Sequence, residues 1–163
     1  MIMGTDELKT PAGQSLLAEG APLGIVVVYE DFPARIRIQH VYWMLARELS
    51  GEFEFECSWY GFSDLQNPRA AASASAAAAN ADLIFFSVNG ETEPPPAVKA
   101  WVESWIGVKA AQDAALAALL NSAKRRNKRR MPIWSYLSRI AQRAGMSFLP
   151  EIIAPKRLCG QAT

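Results

Sequence analysis

The sequence predicts a three-layer α/β/α domain with a doubly wound sheet of five parallel strands in the order 2-1-3-4-5. Strand-like and helix-like patterns alternate five times along the chain, with short links between them. Right-handed crossovers then place helices on both faces of a parallel sheet. The predicted strands are residues 24–29, 52–59, 81–88, 114–121 and 146–150.

Three of these strands have patterns that indicate their place in the sheet. "GIVVVY" (24–29) and "ADLIFFSV" (81–88) are continuous apolar runs, as expected for strands covered on both faces. "EFEFECSW" (52–59) instead alternates apolar residues with three glutamates, which is typical of a half-exposed edge strand. The second strand lies at the edge in the order 2-1-3-4-5, so the pattern and the topology agree.

The helices between the strands follow from apolar spacing and end signals. The first carries apolar residues at three- and four-residue steps: Ile38, Val41, Tyr42, Leu45 and Leu49. The second begins with Asn67 as N-cap and Pro68 in its first turn, and Gly107 is predicted to end the third. A fourth helix follows in "PIWSYLSRIAQRAG". "AALAALLN" (114–121) contains helix-favouring residues, but its short length and its position between two helices predict a strand.

The domain is predicted to span residues 23–153. Residues 1–22 are an N-terminal arm that forms a short helix or is partly disordered, and residues 154–163 are a C-terminal tail. Few residues follow the fifth strand, so the arm is a candidate to cover the sheet where a closing helix would lie.

Composition narrows the class of function. Six of the 17 basic residues lie in the run Lys124–Arg130, so the rest of the chain is mildly acidic, and a nucleic-acid partner is not expected. Cys57 and Cys159 are too few for a disulfide framework or a metal knuckle. No secretory signal is evident at the start, and no apolar run approaches the roughly 20 residues of a membrane span. A cytoplasmic protein without a membrane partner is expected.

The loop after the first strand, "YEDFPAR", is a poor phosphate cradle. No Gly, Ser or Thr occurs between Gly24 and Ser50, Pro33 lacks an N–H group, and Glu30 and Asp31 repel anions. The expected role of Asp31 is to cap the first helix. A second interpretation is that both carboxylates hold Mg²⁺, which needs a third acidic ligand that the loop after the third strand does not clearly offer.

Ligands of this topology bind outside the carboxyl ends of the strands. The candidate binding residues on those loops are Asp31, Asn89, Gly90, Asn121, Ser122, Arg125 and Arg126. The basic run 124–130 is most simply a solvated face, but its position allows it to bind a small anionic ligand. One His and two Cys cannot form a nucleophilic triad or a metal set, so no catalytic residue is assigned.

Two segments carry a resemblance to the flavodoxin and NADPH-dependent FMN reductase group. "ADLIFFSVNGETEPPPAVKAWVESWIG" and "YLSRIAQRAGMSFLP" are similar to that group at Asp82, Pro95, Lys99, Trp105 and Gly145. In element order the resemblance covers residues 24–150. It implies a flavodoxin-like fold and FMN as the cofactor, with NAD(P)H oxidoreductase activity as one function. Self-association through the helix that carries Trp101 and Trp105 is a separate expectation, although the spacing of these tryptophans predicts that they face the sheet.

Two departures argue against the implied cofactor. "YEDFPAR" replaces the family's hydroxyl-rich phosphate turn, and "VNGET" replaces the proline and aromatic residue that follow its third strand. The leading hypothesis is therefore a divergent flavodoxin-like binding or assembly domain, not an enzyme, without a working FMN-phosphate site. The alternative is an FMN-dependent NAD(P)H oxidoreductase in which the basic run supplies the phosphate contacts.

A weaker resemblance is to response-regulator receiver domains. "VVVYED" is similar to their first strand and acidic pair, and Ser122 falls near their hydroxyl position. The phospho-accepting aspartate after the third strand is missing, since "FFSVNG" offers only Ser87 and Asn89. This resemblance implies a degenerate receiver that serves as an interaction domain.

Overall fold

The structure is a computed structural model that describes residues 22–49, 51, 54–89, 93–109, 113–120 and 132–149. Five strands and four α-helices alternate along these residues, with one short 3-10 helix at Asp64–Gln66. The elements are β1 Leu23–Tyr29, α1 Phe32–Leu49, β2 Phe55–Gly61, α2 Pro68–Asn80, β3 Leu83–Val88, α3 Pro96–Lys109, β4 Ala115–Leu120, α4 Pro132–Ala144 and β5 Ser147–Leu149.

The predicted topology is confirmed. All neighbouring strands pair in parallel and their order is β2-β1-β3-β4-β5. The register sets Tyr29 of β1 opposite Ser87 of β3 and opposite Gly61 of β2. The carboxyl ends of these three strands therefore meet at one edge of the sheet, which is the edge where ligands bind in this topology.

Helices cover the two faces of the sheet unequally. On one face, α2, α3 and α4 pack on residues such as Val26, Phe86 and Leu116. On the other face, α1 is the only helix among the described residues, and its Ile38 and Val41 pack on the opposite side chains of the same strands. Trp101 and Trp105 of α3 are buried, as their spacing predicts.

Helix α2 illustrates how local signals set an element. The Asn67 side chain accepts hydrogen bonds from the N–H groups of Arg69 and Ala70, and Pro68 occupies the first helical position, as predicted. Alanine dominates the helix on every side, yet only Ala74 and Ala78 are fully buried. Their small side chains allow α2 to lie close to the sheet.

A buried lysine joins the end of α2 to the end of α3. The Lys109 side chain is fully buried, and its Nζ donates hydrogen bonds to the carbonyl oxygens of Ala79, at 3.3 Å, and of Ala81. Both carbonyls lie at the C-terminal end of α2, where a positive charge complements the helix dipole. Burial lowers the pKa of Lys109, and the nearby Asp82 carboxylate partly opposes this shift.

Several predicted boundaries need correction. Strand β2 covers residues 55–61 and not 52–59, because its pairing with β1 runs from Leu23 to Tyr29. Helix α3 continues two residues past Gly107 and ends at Lys109, whose side chain is buried. The tail 154–163, all of the arm except Pro22, and the basic run 124–130 lie outside the described residues.

Candidate functional site

The candidate site lies where β1 and β3 end side by side. The Glu30 N–H donates to the Ser87 carbonyl oxygen at 3.0 Å, which extends the pairing of the two strands by one step. Glu30 and Asp31 therefore leave β1 next to the point where Asn89 leaves β3. This is the switch point of the doubly wound sheet, because β2 lies on one side of β1 and β3, β4 and β5 lie on the other.

Asp31 caps α1, as predicted. Its Oδ1 accepts the N–H of Ala34 at 3.0 Å, and its carbonyl oxygen accepts the N–H of Arg35 at 3.0 Å. Pro33 has no N–H to offer. The first turn of α1 thus leaves at most the Phe32 N–H for an external anion, whereas a phosphate cradle needs several such groups.

Asn89 ties the end of β3 to this cap. Its backbone N–H donates to Glu30 Oε1 at 2.7 Å, and its Nδ2 donates to Asp31 Oδ2 at 2.9 Å. Both carboxylates are therefore engaged by the same residue of the neighbouring strand. The loops after β1 and β3, which would have to part around a ligand, are held together here.

Arg37, one turn into α1, completes the arrangement. Its Nη2 donates to Asn89 Oδ1 at 2.9 Å and to the Val88 carbonyl oxygen at 3.2 Å. We refer to Glu30, Asp31, Arg37 and Asn89 as the switch-point network. Every hydrogen bond in it is an internal contact of the chain.

The charge of the network is unsuited to a phosphate. Two carboxylates and one guanidinium give it a formal charge of −1, and the guanidinium is already directed at Asn89 and a backbone carbonyl. Partial burial lowers the pKa of Arg37, an effect that Asp31 and Glu30 oppose. An incoming phosphate would face the two carboxylates, and the Nη2 group of the guanidinium is already engaged by the chain.

The structure brings together two of the seven predicted site residues. Asp31 and Asn89 are in direct contact, but each is satisfied by the chain itself. The other candidates, Gly90, Asn121, Ser122, Arg125 and Arg126, lie outside the described residues. Sequence reasoning missed Arg37. The available signal was a basic residue beside Ile38 on the sheet-facing side of α1, at the end nearest the site.

Other polar side chains near this edge have structural partners. The Ser87 hydroxyl lies at the end of β3, where the receiver resemblance would place an aspartate. It is fully buried and donates a hydrogen bond to the Ala34 carbonyl oxygen at 2.7 Å. The Tyr60 hydroxyl lies 3.0 Å from Ser73 Oγ. Trp59 is half-buried and packs edge-on against Tyr42, with the ring centroids 5.5 Å apart.

Metal and thiol chemistry find no support in the described part of the chain. No group of three or more His, Cys, Asp or Glu side chains there has the geometry to hold a metal ion. Glu30 and Asp31, considered above as Mg²⁺ ligands, are engaged in the switch-point network. Burial raises the pKa of Cys57 to about 12, which keeps its thiol protonated and unreactive at neutral pH.

A small cleft occurs at the opposite edge of the sheet. It has a volume of about 230 Å³ and is lined by residues that include Glu56, Ser58 and Asn80. Ligand pockets usually measure about 300–1,000 Å³. The cleft also lies at the amino ends of the strands, away from the edge where this topology binds ligands.

Comparison with known proteins supports the architecture. The chain is similar to the crystal structure of an azoreductase from Bacillus anthracis str. Sterne, with a TM-score of 0.50 and 11% sequence identity over 78% of this chain and 85% of that chain. The fold is flavodoxin-like. No family model and no curated protein matches the sequence. None of the helices in the described ranges combines the length and apolarity that a bilayer span requires.

Proposed function

We propose that this flavodoxin-like chain is a binding or assembly domain and has no working site for the phosphate of FMN. The observation that carries this proposal is the switch-point network. This network and the first turn of α1 occupy the position between β1 and β3 with two carboxylates, a capped helix end and Pro33, whereas a flavin phosphate requires free N–H groups and hydroxyls there.

The proposal is tested by comparing FMN with riboflavin, which lacks the phosphate. The full chain is purified without added flavin, its visible absorbance is recorded, and each flavin is then titrated by calorimetry. We expect no bound flavin and no preference for FMN, because nothing at the switch point recognises the phosphate. Stoichiometric FMN in the purified protein would refute the proposal, as would FMN binding more than about tenfold tighter than riboflavin.

A second candidate is an FMN-dependent NAD(P)H oxidoreductase. The specific observation in its favour is the basic run Lys124–Arg130, which follows β4 directly in sequence and has the charge to bind a phosphate. In this version the basic run supplies the contacts that the loop after β1 lacks. The azoreductase is named for a reductase activity, which makes this candidate worth a direct test.

The same titration separates the two candidates. If the basic run binds the phosphate, Arg125→Glu or Arg126→Glu abolishes the preference for FMN over riboflavin. Arg139→Glu is the matched control, because Arg139 is an exposed arginine on α4 and its reversal changes the net charge equally. A preference for FMN that survives both reversals would exclude the basic run as the phosphate site.

A further inference from the structure

Asn89 is the one asparagine of the chain that a glycine follows. The other four precede Pro68, Ala81, Ser122 and Lys128. The backbone nitrogen of the next residue can attack the side-chain amide of an asparagine, which closes a succinimide ring. A side chain on that next residue hinders the attack, whereas glycine has none. The sequence therefore makes Asn89 the position where this reaction meets the least hindrance.

The structure places the Asn89 amide where the reaction can proceed. The side chain is half-buried, and its hydrogen bond to Asp31 is exposed to solvent, so water reaches the amide. Arg37 Nη2 donates to Asn89 Oδ1 at 2.9 Å. This donor polarises the amide carbonyl and stabilises the negative charge that develops on its oxygen during attack. The site thus combines an electrophile, a donor for its oxygen and access to water.

We propose that Asn89 deamidates spontaneously in the folded chain and that the reaction opens the switch-point network irreversibly. The Gly90 nitrogen gives up its proton to solvent and bonds to Asn89 Cγ, the Cγ–Nδ2 bond breaks, and Nδ2 leaves as ammonia. Water then opens the succinimide at either carbonyl. Opening at Cγ gives aspartate, and opening at the α-carbonyl gives isoaspartate, in which the backbone runs through Cγ. In net terms one water is consumed and one ammonia is released, with no oxidation or reduction.

Both products lack the group that binds Asp31. Asn89 Nδ2 donates to Asp31 Oδ2 at 2.9 Å, and this nitrogen departs as ammonia. Aspartate in its place brings a third carboxylate beside Glu30 and Asp31, with Arg37 still the only guanidinium, so the formal charge of the network goes from −1 to −2. Like charges at such short range repel each other. Isoaspartate also lengthens the backbone after β3 by one carbon atom. Neither product can restore the original contacts.

The modification acts at the edge of the sheet where this topology binds ligands. Fresh and deamidated chains therefore differ in how the loops after β1 and β3 are held together, which gives the chain two forms at its candidate site. The proposal rests on the geometry of the switch-point network and not on the lack of a phosphate site. The flavin titration and the deamidation experiment can therefore fail independently.

Peptide mapping by mass spectrometry tests where the chain reacts. The full chain is incubated at mildly alkaline pH in water enriched in heavy oxygen, which marks the residues that react during the incubation. Asn89 is expected to react at least about tenfold faster than Asn80, an exposed asparagine followed by alanine, and to yield isoaspartate among its products. Asn67 is expected not to react by this route, because the proline nitrogen that follows it carries no hydrogen.

The variant Gly90→Ala tests the succinimide route. It leaves Asn89 unchanged and is expected to slow the reaction at Asn89 at least about tenfold. The same comparison is made in urea, where both chains are unfolded, so that a folding defect of the variant cannot account for the result. An Asn89 that reacts no faster than Asn80 in the folded chain would overturn the proposal. A rate that Gly90→Ala leaves unchanged would exclude attack by the nitrogen of residue 90.

Urea unfolding tests whether the reaction opens the network. Anion-exchange chromatography separates the deamidated chain, which has gained a negative charge, from the fresh chain. We expect the deamidated chain and the variant Asn89→Asp to unfold at lower urea concentrations than the fresh chain. Asn67→Asp is the matched control, because it adds the same charge at a helix N-terminus, where aspartate caps as well as asparagine. A deamidated chain with the midpoint of the fresh chain would overturn the claim that the network opens.

Discussion

Replacing Asn89 with alanine is predicted to loosen the carboxyl ends of β1 and β3 by removing the side chain at the centre of the switch-point network. The substitution deletes the bond from Asn89 Nδ2 to Asp31 and the bond from Arg37 to Asn89 Oδ1, both 2.9 Å long. The backbone bond from Asn89 to Glu30 is retained. The variant therefore tests the side-chain links without breaking the backbone contact.

The magnitude follows from the two lost bonds. A hydrogen bond to a charged group contributes about 1.5–3 kcal/mol when buried. Here both bonds are partly open to solvent, which screens them toward about 1 kcal/mol each. We expect Asn89→Ala to lower the free energy of unfolding by about 2 kcal/mol, including the cost of leaving Arg37 with one fewer acceptor.

Urea unfolding followed by tryptophan fluorescence measures this change. Asn80→Ala is the matched control, because the exposed Asn80 side chain makes one 3.2 Å bond to the Ala76 carbonyl oxygen at the end of α2. It is expected to cost no more than about 0.5 kcal/mol. A double-mutant cycle between Asn89→Ala and Arg37→Met then isolates their coupling, expected at about 1 kcal/mol.

Two results would refute the reasoning. An Asn89→Ala variant as stable as Asn80→Ala would mean that the network does not hold the two loops together. Additive effects of Asn89→Ala and Arg37→Met would mean that their contact contributes no stability.

Three further predictions concern two buried groups, Lys109 and Ser87, and the half-buried Cys57. Burial lowers the pKa of Lys109, so at pH values below the ordinary 10.5 the unfolded chain binds more protons than the folded chain. The free energy of unfolding therefore rises with pH toward that value. Lys109→Met is expected to lose this rise, measured as urea midpoints across alkaline pH. In a Cys159→Ala variant, Cys57, with its pKa of about 12, is expected to react with a thiol reagent only after urea unfolds the chain, and fast labelling of the native protein would contradict this. Ser87→Ala removes the buried bond to the Ala34 carbonyl and is expected to cost about 1 kcal/mol in urea unfolding; an unchanged midpoint would show that this bond adds nothing.

The fold was largely predictable because local pattern and global topology agree. The apolar runs of β1 and β3 mark central strands, and the alternation in β2 marks an edge. Strand β4, "ALAALL", shows the limit of composition: its residues favour helix, and only its place between two helices predicts a strand. The bounds of β2 differ from the predicted ones because its pairing with β1 sets them: β2 ends at Gly61, opposite Tyr29.

The site was predictable only where its contacts are local. Asp31 as the cap of α1 follows from an acidic residue two positions before a proline, and the structure confirms it. The bonds from Asn89 to Asp31 and Arg37 join residues more than 50 positions apart. They depend on the register that sets Tyr29 opposite Ser87, and a sequence pattern does not carry that register.

The alanine-rich composition of α2 has a consequence for how the chain accepts mutation. The sequence of this helix hardly distinguishes one side from another, so its orientation is set by the surfaces around it and by its cap at Asn67. Saturation mutagenesis of α2 is still expected to show that tolerance of bulky side chains varies with the helical period. Bulky residues fit at exposed positions such as Ala72 and Ala76, whereas Ala74 and Ala78 leave no room for an added methyl group. The alanines of α2 thus tolerate different substitutions because some of them face the sheet and others face solvent.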